Sequence, residues 1–150
     1  MIPFCRTPAE ADQVLAVMAE NDLERGKDVL QVYVMCEIPS NVVRAAEFAD
    51  LFDVFSIGSN DLTQLTLGID RDSDALAGLF REDDPAVLWM IETVINAAHK
   101  AGSKVGFCGQ APSNDPAYAQ TLVGYGIDSI SVTPDSFVSV LRNVAKAERG

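Results

Sequence analysis

The sequence predicts an α/β fold built on parallel strands, and three observations carry that prediction. Short apolar runs rich in β-branched and aromatic residues recur at residues 2–5, 29–38, 54–57, 104–108 and 129–132. Between them lie stretches with apolar residues at helical spacing, most of them opened by a capping residue and a proline. No internal repeat, linker or low-complexity segment interrupts the alternation. Strand–helix–strand crossovers are right-handed and bring successive strands into a parallel sheet. A complete (β/α)8 barrel takes about 250 residues. The 150 residues here therefore read as a partial (β/α)8 TIM barrel of about five consecutive βα units.

Residues 2–5 are a short apolar strand. Thr7-Pro8-Ala9-Glu10 then starts a helix: Thr caps, Pro takes the first turn, and Glu follows three residues after the cap. Ala11, Val14, Leu15 and Met18 give this helix its apolar spacing; it is expected to fray into the polar loop Asn21 to Asp28, with Gly26 as its stop. Val32 to Cys36 is a nearly continuous apolar run, which fits a strand buried on both faces. Pro39 ends that strand, and Ser40 is the expected cap of a helix through Val42, Val43, Ala46 and Ala49. The third strand runs into Phe55-Ser56-Ile57-Gly58-Ser59-Asn60-Asp61-Leu62-Thr63-Gln64, where an apolar run breaks at a glycine and opens into polar residues. A long polar loop then reaches Asp84, and such length is usually functional. Asp84-Pro85 opens the longest helix, with Val87, Leu88, Ile91, Val94, Ile95 and Ala98 inward and Gly102 as its stop. His99, the sole histidine, shares the last turn with Lys100, where cations suit the helix dipole. It reads as a cap-region residue and not as a base. Asn114-Asp115-Pro116 starts the next helix, and Thr133-Pro134-Asp135 starts the last, through Phe137, Val140, Leu141 and Val144.

A formal net charge of −11 argues against nucleic acid and anionic membrane surfaces as partners. It also means that an anionic substrate needs local help from a metal or from specific arginines. No apolar run reaches the ~18 residues that span a bilayer, and the start of the chain shows no signal-peptide pattern. The three cysteines, Cys5, Cys36 and Cys108, have neither zinc-type spacing nor a disulfide framework. A reducing cytoplasm is the expected compartment.

Three successive strands end in chemically useful residues: Glu37, Asn60-Asp61 and Cys108. In a parallel sheet those ends share one rim, where α/β folds carry their chemistry. Two carboxylates from neighbouring strand ends suit one Mg²⁺, which keeps several waters and takes further oxygens from a substrate. A carbonyl or enolate oxygen bound there is polarised. Glu37 could instead sit in a salt bridge to a neighbouring Lys or Arg, and Ser59 or Asn60 could simply cap the following helix. Gly58 allows a close backbone approach or a sharp turn. Cys108, with an ordinary thiol pKa of about 8.5, could give a proton to a carbanion; a buried core cysteine is the competing reading. That reading is assigned to Cys5 and Cys36, the latter pointing to the face opposite Glu37. Arg71, inside the long polar loop, could pair with a phosphate or carboxylate or with Asp70, Asp72 or Asp74. Arg6 is a weaker candidate at the same rim.

The segments Met35-Cys36-Glu37-Ile38-Pro39-Ser40-Asn41, Ser56-Ile57-Gly58-Ser59-Asn60-Asp61-Leu62-Thr63-Gln64 and Cys108-Gly109-Gln110-Ala111-Pro112-Ser113 together resemble the signature segments of the PEP-utilising enzymes. The resemblance covers essentially the whole chain, with one departure: relatives typically carry Glu where this chain has Gln110. It implies Mg²⁺ as cofactor with Glu37 and Asp61 as ligands. It places Gly58, Ser59 and Asn60 around pyruvate or phosphoenolpyruvate, Cys108 as the acid or base at the enolate carbon, and Arg71 toward the phosphate. The implied reaction converts pyruvate, ATP and water to phosphoenolpyruvate, AMP and phosphate. The implied partners are ATP-binding and phosphohistidine domains in a homodimeric full-length enzyme. This chain, lacking both domains, is expected to be the C-terminal five-eighths of the barrel and to be inactive alone. Other family reactions, a binding module without catalysis, and a Mg-dependent aldolase or lyase acting on pyruvate-like enolates are the alternatives.

Overall fold

Four parallel strands, β1 (Tyr33–Cys36), β2 (Val54–Ile57), β3 (Lys104–Cys108) and β4 (Ser129–Ser131), lie side by side in chain order in a computed structural model that describes residues 1–70 and 73–149. Eight α-helices accompany them among the described residues: α1 (Pro8–Glu20), α2 (Pro39–Val43), α3 (Ala45–Leu51), α4 (Ser59–Leu67), α5 (Pro85–Lys100), α6 (Ala111–Asn114), α7 (Pro116–Gly124) and α8 (Phe137–Ala147). The α/β class and the parallel sheet are as expected.

Side-chain alternation sorts the sheet into two faces. Val34, Cys36, Phe55, Ile57, Val105 and Phe107 turn to one face and are buried in a single core with Val87, Ile91, Val94 and Ile95 of α5 and Leu122 of α7. Large side chains such as Phe48, Phe52, Phe55 and Phe107 are fully buried, and each contributes roughly 1.5–3 kcal/mol of hydrophobic stabilisation. On the other face Tyr33, Met35, Lys104, Gly106, Cys108, Ser129 and Ser131 remain partly or wholly exposed, while Val54 and Ser56 of the central β2 are buried. The expected burial of the second strand on both faces is therefore corrected: β1 alternates half-buried and buried residues.

The helix starts follow their caps. Thr7 Oγ1 accepts from the Glu10 amide at 3.2 Å, Asp84 from Ala86 at 2.8 Å and Asp115 from Ala117 at 2.9 Å, each ahead of a proline in the first turn. Some boundaries differ from expectation. Residues 2–5 supply only an isolated parallel bridge, Ile2 to Val34. Pro3 has no amide to extend the ladder and Phe4 turns to φ 49°. The predicted strand at 29–38 shortens to β1 because Lys27–Val29 form a 3₁₀ turn. Helix α1 does stop at Glu20, where the polar loop from Asn21 begins, while Gly26 opens the 3₁₀ turn in a left-handed conformation instead of stopping α1. Ser40 lies inside α2 rather than capping it; Asn41 Oδ1 instead reaches back to the Ile38 amide at 3.3 Å. The helix expected after Ser40 breaks at Arg44 into α2 and α3.

Candidate active site

The strand register sets Cys36 beside Ile57, Ile57 beside Phe107 and Cys108 beside Ser131. Glu37, Gly58 and Cys108-Gly109 therefore leave the sheet at the same rim. Glu37 is 5% exposed. Its Oε1 accepts from the Phe4 amide at 2.7 Å, so the turned segment that ended the first strand supplies a grip on this carboxylate. Burial pushes the Glu37 carboxyl above the ordinary range, the Phe4 amide pulls the other way, and the neighbouring Asp61 carboxyl pushes it up again by charge and by direct hydrogen bonding. Glu37 thus meets a second carboxyl and not the Lys or Arg of a salt bridge. Two buried-side carboxyls in contact call for a shared proton or a cation.

Asp61 arrives through a tight turn. The Gly58 amide continues the sheet by donating to Cys36 O at 3.0 Å, and Gly58 then caps α4. A Cβ on Gly58 would lie 3.0 Å from Glu37 Cβ and 3.2 Å from both Glu37 Oε2 and Met35 Sδ. A side chain here would need Glu37 and Met35 to give way by a few tenths of an ångström. Neither Ser59 nor Asn60 caps the helix: both are inside its first turn, with Asp61. Their amides are among the first of α4 and have no intrahelical acceptor, so the turn presents donors to an anion. Asn60 and Asp61 are half-buried, while Ser59 is fully buried.

Cys108 ends β3 on the open face and is exposed. Cys5 and Cys36 are buried, as expected. Burial, then the Glu37 charge, pushes the Cys36 thiol up to about 12, which leaves it inert near neutrality. Gly109 packs directly on Ser59: any Cβ there would overlap Ser59 Oγ. The Cys108 loop and the Asn60-Asp61 turn are thereby locked together.

Several contributors were not anticipated. Asn41 accepts from the amides of Glu37 and Ile38 at 3.3 Å and donates to Cys5 O at 2.7 Å, tying the N-terminal segment to the end of β1. Its only sequence signal was its place in the Glu37 segment. Glu82, from the loop before α5, accepts a short hydrogen bond from Ser59 Oγ, and nothing in its local sequence marked it. Arg6 pairs with Glu10 at 3.1 Å and lies over the Phe4 ring. His99 binds Asp128 at 2.9 Å, near the opposite ends of the strands. Arg71 lies outside the described residues. Among the described residues, no group of three or more His, Cys, Asp or Glu gathers as a metal cage.

An acidic pair, a glycine-pinned helix start and an exposed thiol lie together on one α/β rim. Comparison with known proteins gives the class. The family model described as PEP-utilising enzyme, PEP-binding domain matches residues 1–149, and the chain belongs to that family. Among curated relatives, it is 54% identical over 149 residues to phosphoenolpyruvate synthase of Synechocystis sp. and 55% identical over 149 residues to that of Aquifex aeolicus. These alignments take in 99% of this chain but 18% and 17% of the relatives, so the chain spans under a fifth of their length. Among solved structures, a citrate lyase from Burkholderia xenovorans aligns with a TM-score of 0.67 at 17% identity, over 95% of this chain and 47% of that one. The CitE protein of Mycobacterium tuberculosis, in complex with magnesium and acetate, gives 0.63 at 18% identity, over 99% and 62%. These two likenesses are of fold.

Proposed function

We propose that this chain is the pyruvate- and phosphoenolpyruvate-binding part of a longer enzyme that converts pyruvate, ATP and water to phosphoenolpyruvate, AMP and phosphate. What supports the reading is the meeting of Glu37, Asp61 and exposed Cys108 at one rim, in a chain about 54% identical to phosphoenolpyruvate synthases. The four-stranded sheet is then part of a (β/α)8 barrel whose other strands come from elsewhere in the longer protein.

Glu37 and Asp61 would hold Mg²⁺. The donor set fits: two carboxyls in contact supply the oxygen ligands that magnesium combines with waters and substrate oxygens. When bound, the ion supplies polarisation of an enolate oxygen. Asn60 and the first amides of α4 hold the substrate carboxylate, and Gly58 keeps the backbone out of its way. The Cys108 thiol gives its proton to the methylene carbon of the enolate and becomes thiolate. In the synthetic direction the thiolate takes a methyl proton from pyruvate, leaving the enolate oxygen to accept the phosphoryl group. Arg71 would face that phosphoryl group. ATP-binding and phosphohistidine domains deliver it, in a homodimeric cytoplasmic enzyme.

The test is product analysis with the full-length enzyme, pyruvate, ATP and Mg²⁺. Equal amounts of phosphoenolpyruvate, AMP and phosphate are expected. ADP in place of AMP, or no phosphoenolpyruvate, contradicts the reading.

A further inference from the structure

We propose that Glu82 is a positioning residue of this site, holding the Asn60-Asp61 turn at its working distance from Cys108 through the buried hydroxyl of Ser59. The inference rests on the enolate reading above. Ser59 is fully buried and, among the described residues, its Oγ has one acceptor, Glu82 Oε1. The same hydroxyl packs against Gly109, next to Cys108. One side chain thus touches both halves of the site, and its rotamer sets their spacing. Glu82 is itself held: Tyr118 Oη donates to its carbonyl at 3.1 Å, and the Tyr118 ring lies 5.6 Å from that of Phe107, the residue before Cys108. The flanking charges are engaged with each other, Arg81 bonding Asp83 at 2.8 and 3.0 Å, so among the described residues the carboxyl of Glu82 is left to Ser59. It also lies at the first turn of α4, where negative charge is favoured.

Removing the acceptor leaves a buried hydroxyl donor that must turn elsewhere. That turn moves Asn60-Asp61 against Gly109 by a fraction of an ångström or more. Misplacement of about 1 Å costs up to roughly a hundredfold in rate. Because the spacing between substrate and thiol changes, and not the groups themselves, the loss falls on kcat.

The experiment measures exchange of pyruvate methyl protons with deuterated water in the full-length enzyme. Glu82→Met keeps the volume and removes the acceptor; Glu82→Gln keeps the acceptor. Expected are a kcat loss of about tenfold for Glu82→Met with KM for pyruvate changed less than about threefold, and recovery to within about threefold in Glu82→Gln. In a Ser59→Ala background, Glu82→Met should cost nothing further, as for two residues acting through one contact. If Glu82→Met does not fold, Glu82→Asp, with its acceptor drawn back by one methylene, carries the same prediction. Unchanged kcat, or a full additive loss in the Ser59→Ala background, overturns the inference alone. No exchange in the unmodified enzyme overturns the enolate reading and this inference with it.

Discussion

Glycine at position 109 does at the residue scale what no other residue can. Ser59 occupies the space where a side chain would begin. Gly109→Ala must push the Cys108 loop away from the Asn60-Asp61 turn or force Ser59 out of its rotamer. Overpacking of this kind costs about 1–3 kcal/mol. We expect Gly109→Ala to lower the thermal midpoint of the full-length enzyme modestly and its proton-exchange rate at least tenfold; an unchanged rate contradicts the lock. The placement of Glu37 and Cys108 at one rim was legible in the sequence because each closes an apolar run, and that of Asp61 because the run before it breaks at Gly58 into polar residues. Glu82 was not, because it lies 23 residues beyond Ser59 on an irregular loop. Only the folded chain brings it back.

Individual elements are clasped at their far ends by single carboxylates. Asp128, just ahead of β4, accepts from the Val105 amide at 2.8 Å and from His99 of α5 at 2.9 Å. Asp53 likewise joins the Val32 amide at 2.7 Å to Arg25 at 2.9 Å. Burial alone would raise the Asp128 carboxyl, but the His99 hydrogen bond, the Val105 amide and nearby positive charge outweigh it and leave it below the ordinary range. Its folded-state value is therefore lower than its unfolded one. The stabilisation is present above the unfolded value and is lost as pH falls through the folded one. Asp128→Asn should accelerate hydrogen exchange of the Val105 amide severalfold at neutral pH, a loss of about 1 kcal/mol. The difference from the unmodified protein should vanish in acid; a difference that persists there contradicts the linkage. The strand–helix order, the caps at Thr7, Asp84 and Asp115, and the extents of β2 and β3 all followed from local chemistry. The shortened β1 and the break at Arg44 did not. Lys27–Val29 form a local turn inside a run that reads as strand, and no glycine or proline marks Arg44.

At the scale of the whole molecule, one face of the sheet is covered by helices and the other is open, and β4 pairs on one side only. A hollow of ≈ 580 Å³ overlies the open face toward the strand starts, lined by Tyr33, Ser56, Lys104 and Ser131 among others. The apolar residues Phe137, Val138 and Leu141 of α8 are also exposed. Open edges and apolar patches favour association. Produced alone, the chain is expected to self-associate by light scattering and to show little or no heat with oxalate and Mg²⁺ in titration calorimetry. Tight oxalate binding by monomeric chain would mean that this rim suffices without the remaining strands. The net charge of −11 opposes an anionic substrate, and the cation proposed for Glu37 and Asp61 would offset that repulsion where the substrate binds.

The most direct measurement is on Cys108. In the full-length enzyme, Cys108→Ala should abolish exchange of pyruvate methyl protons with solvent while ATP still phosphorylates the enzyme at the unmodified rate. Proton exchange that continues undiminished in Cys108→Ala would take the thiol out of the reaction and contradict the site described here.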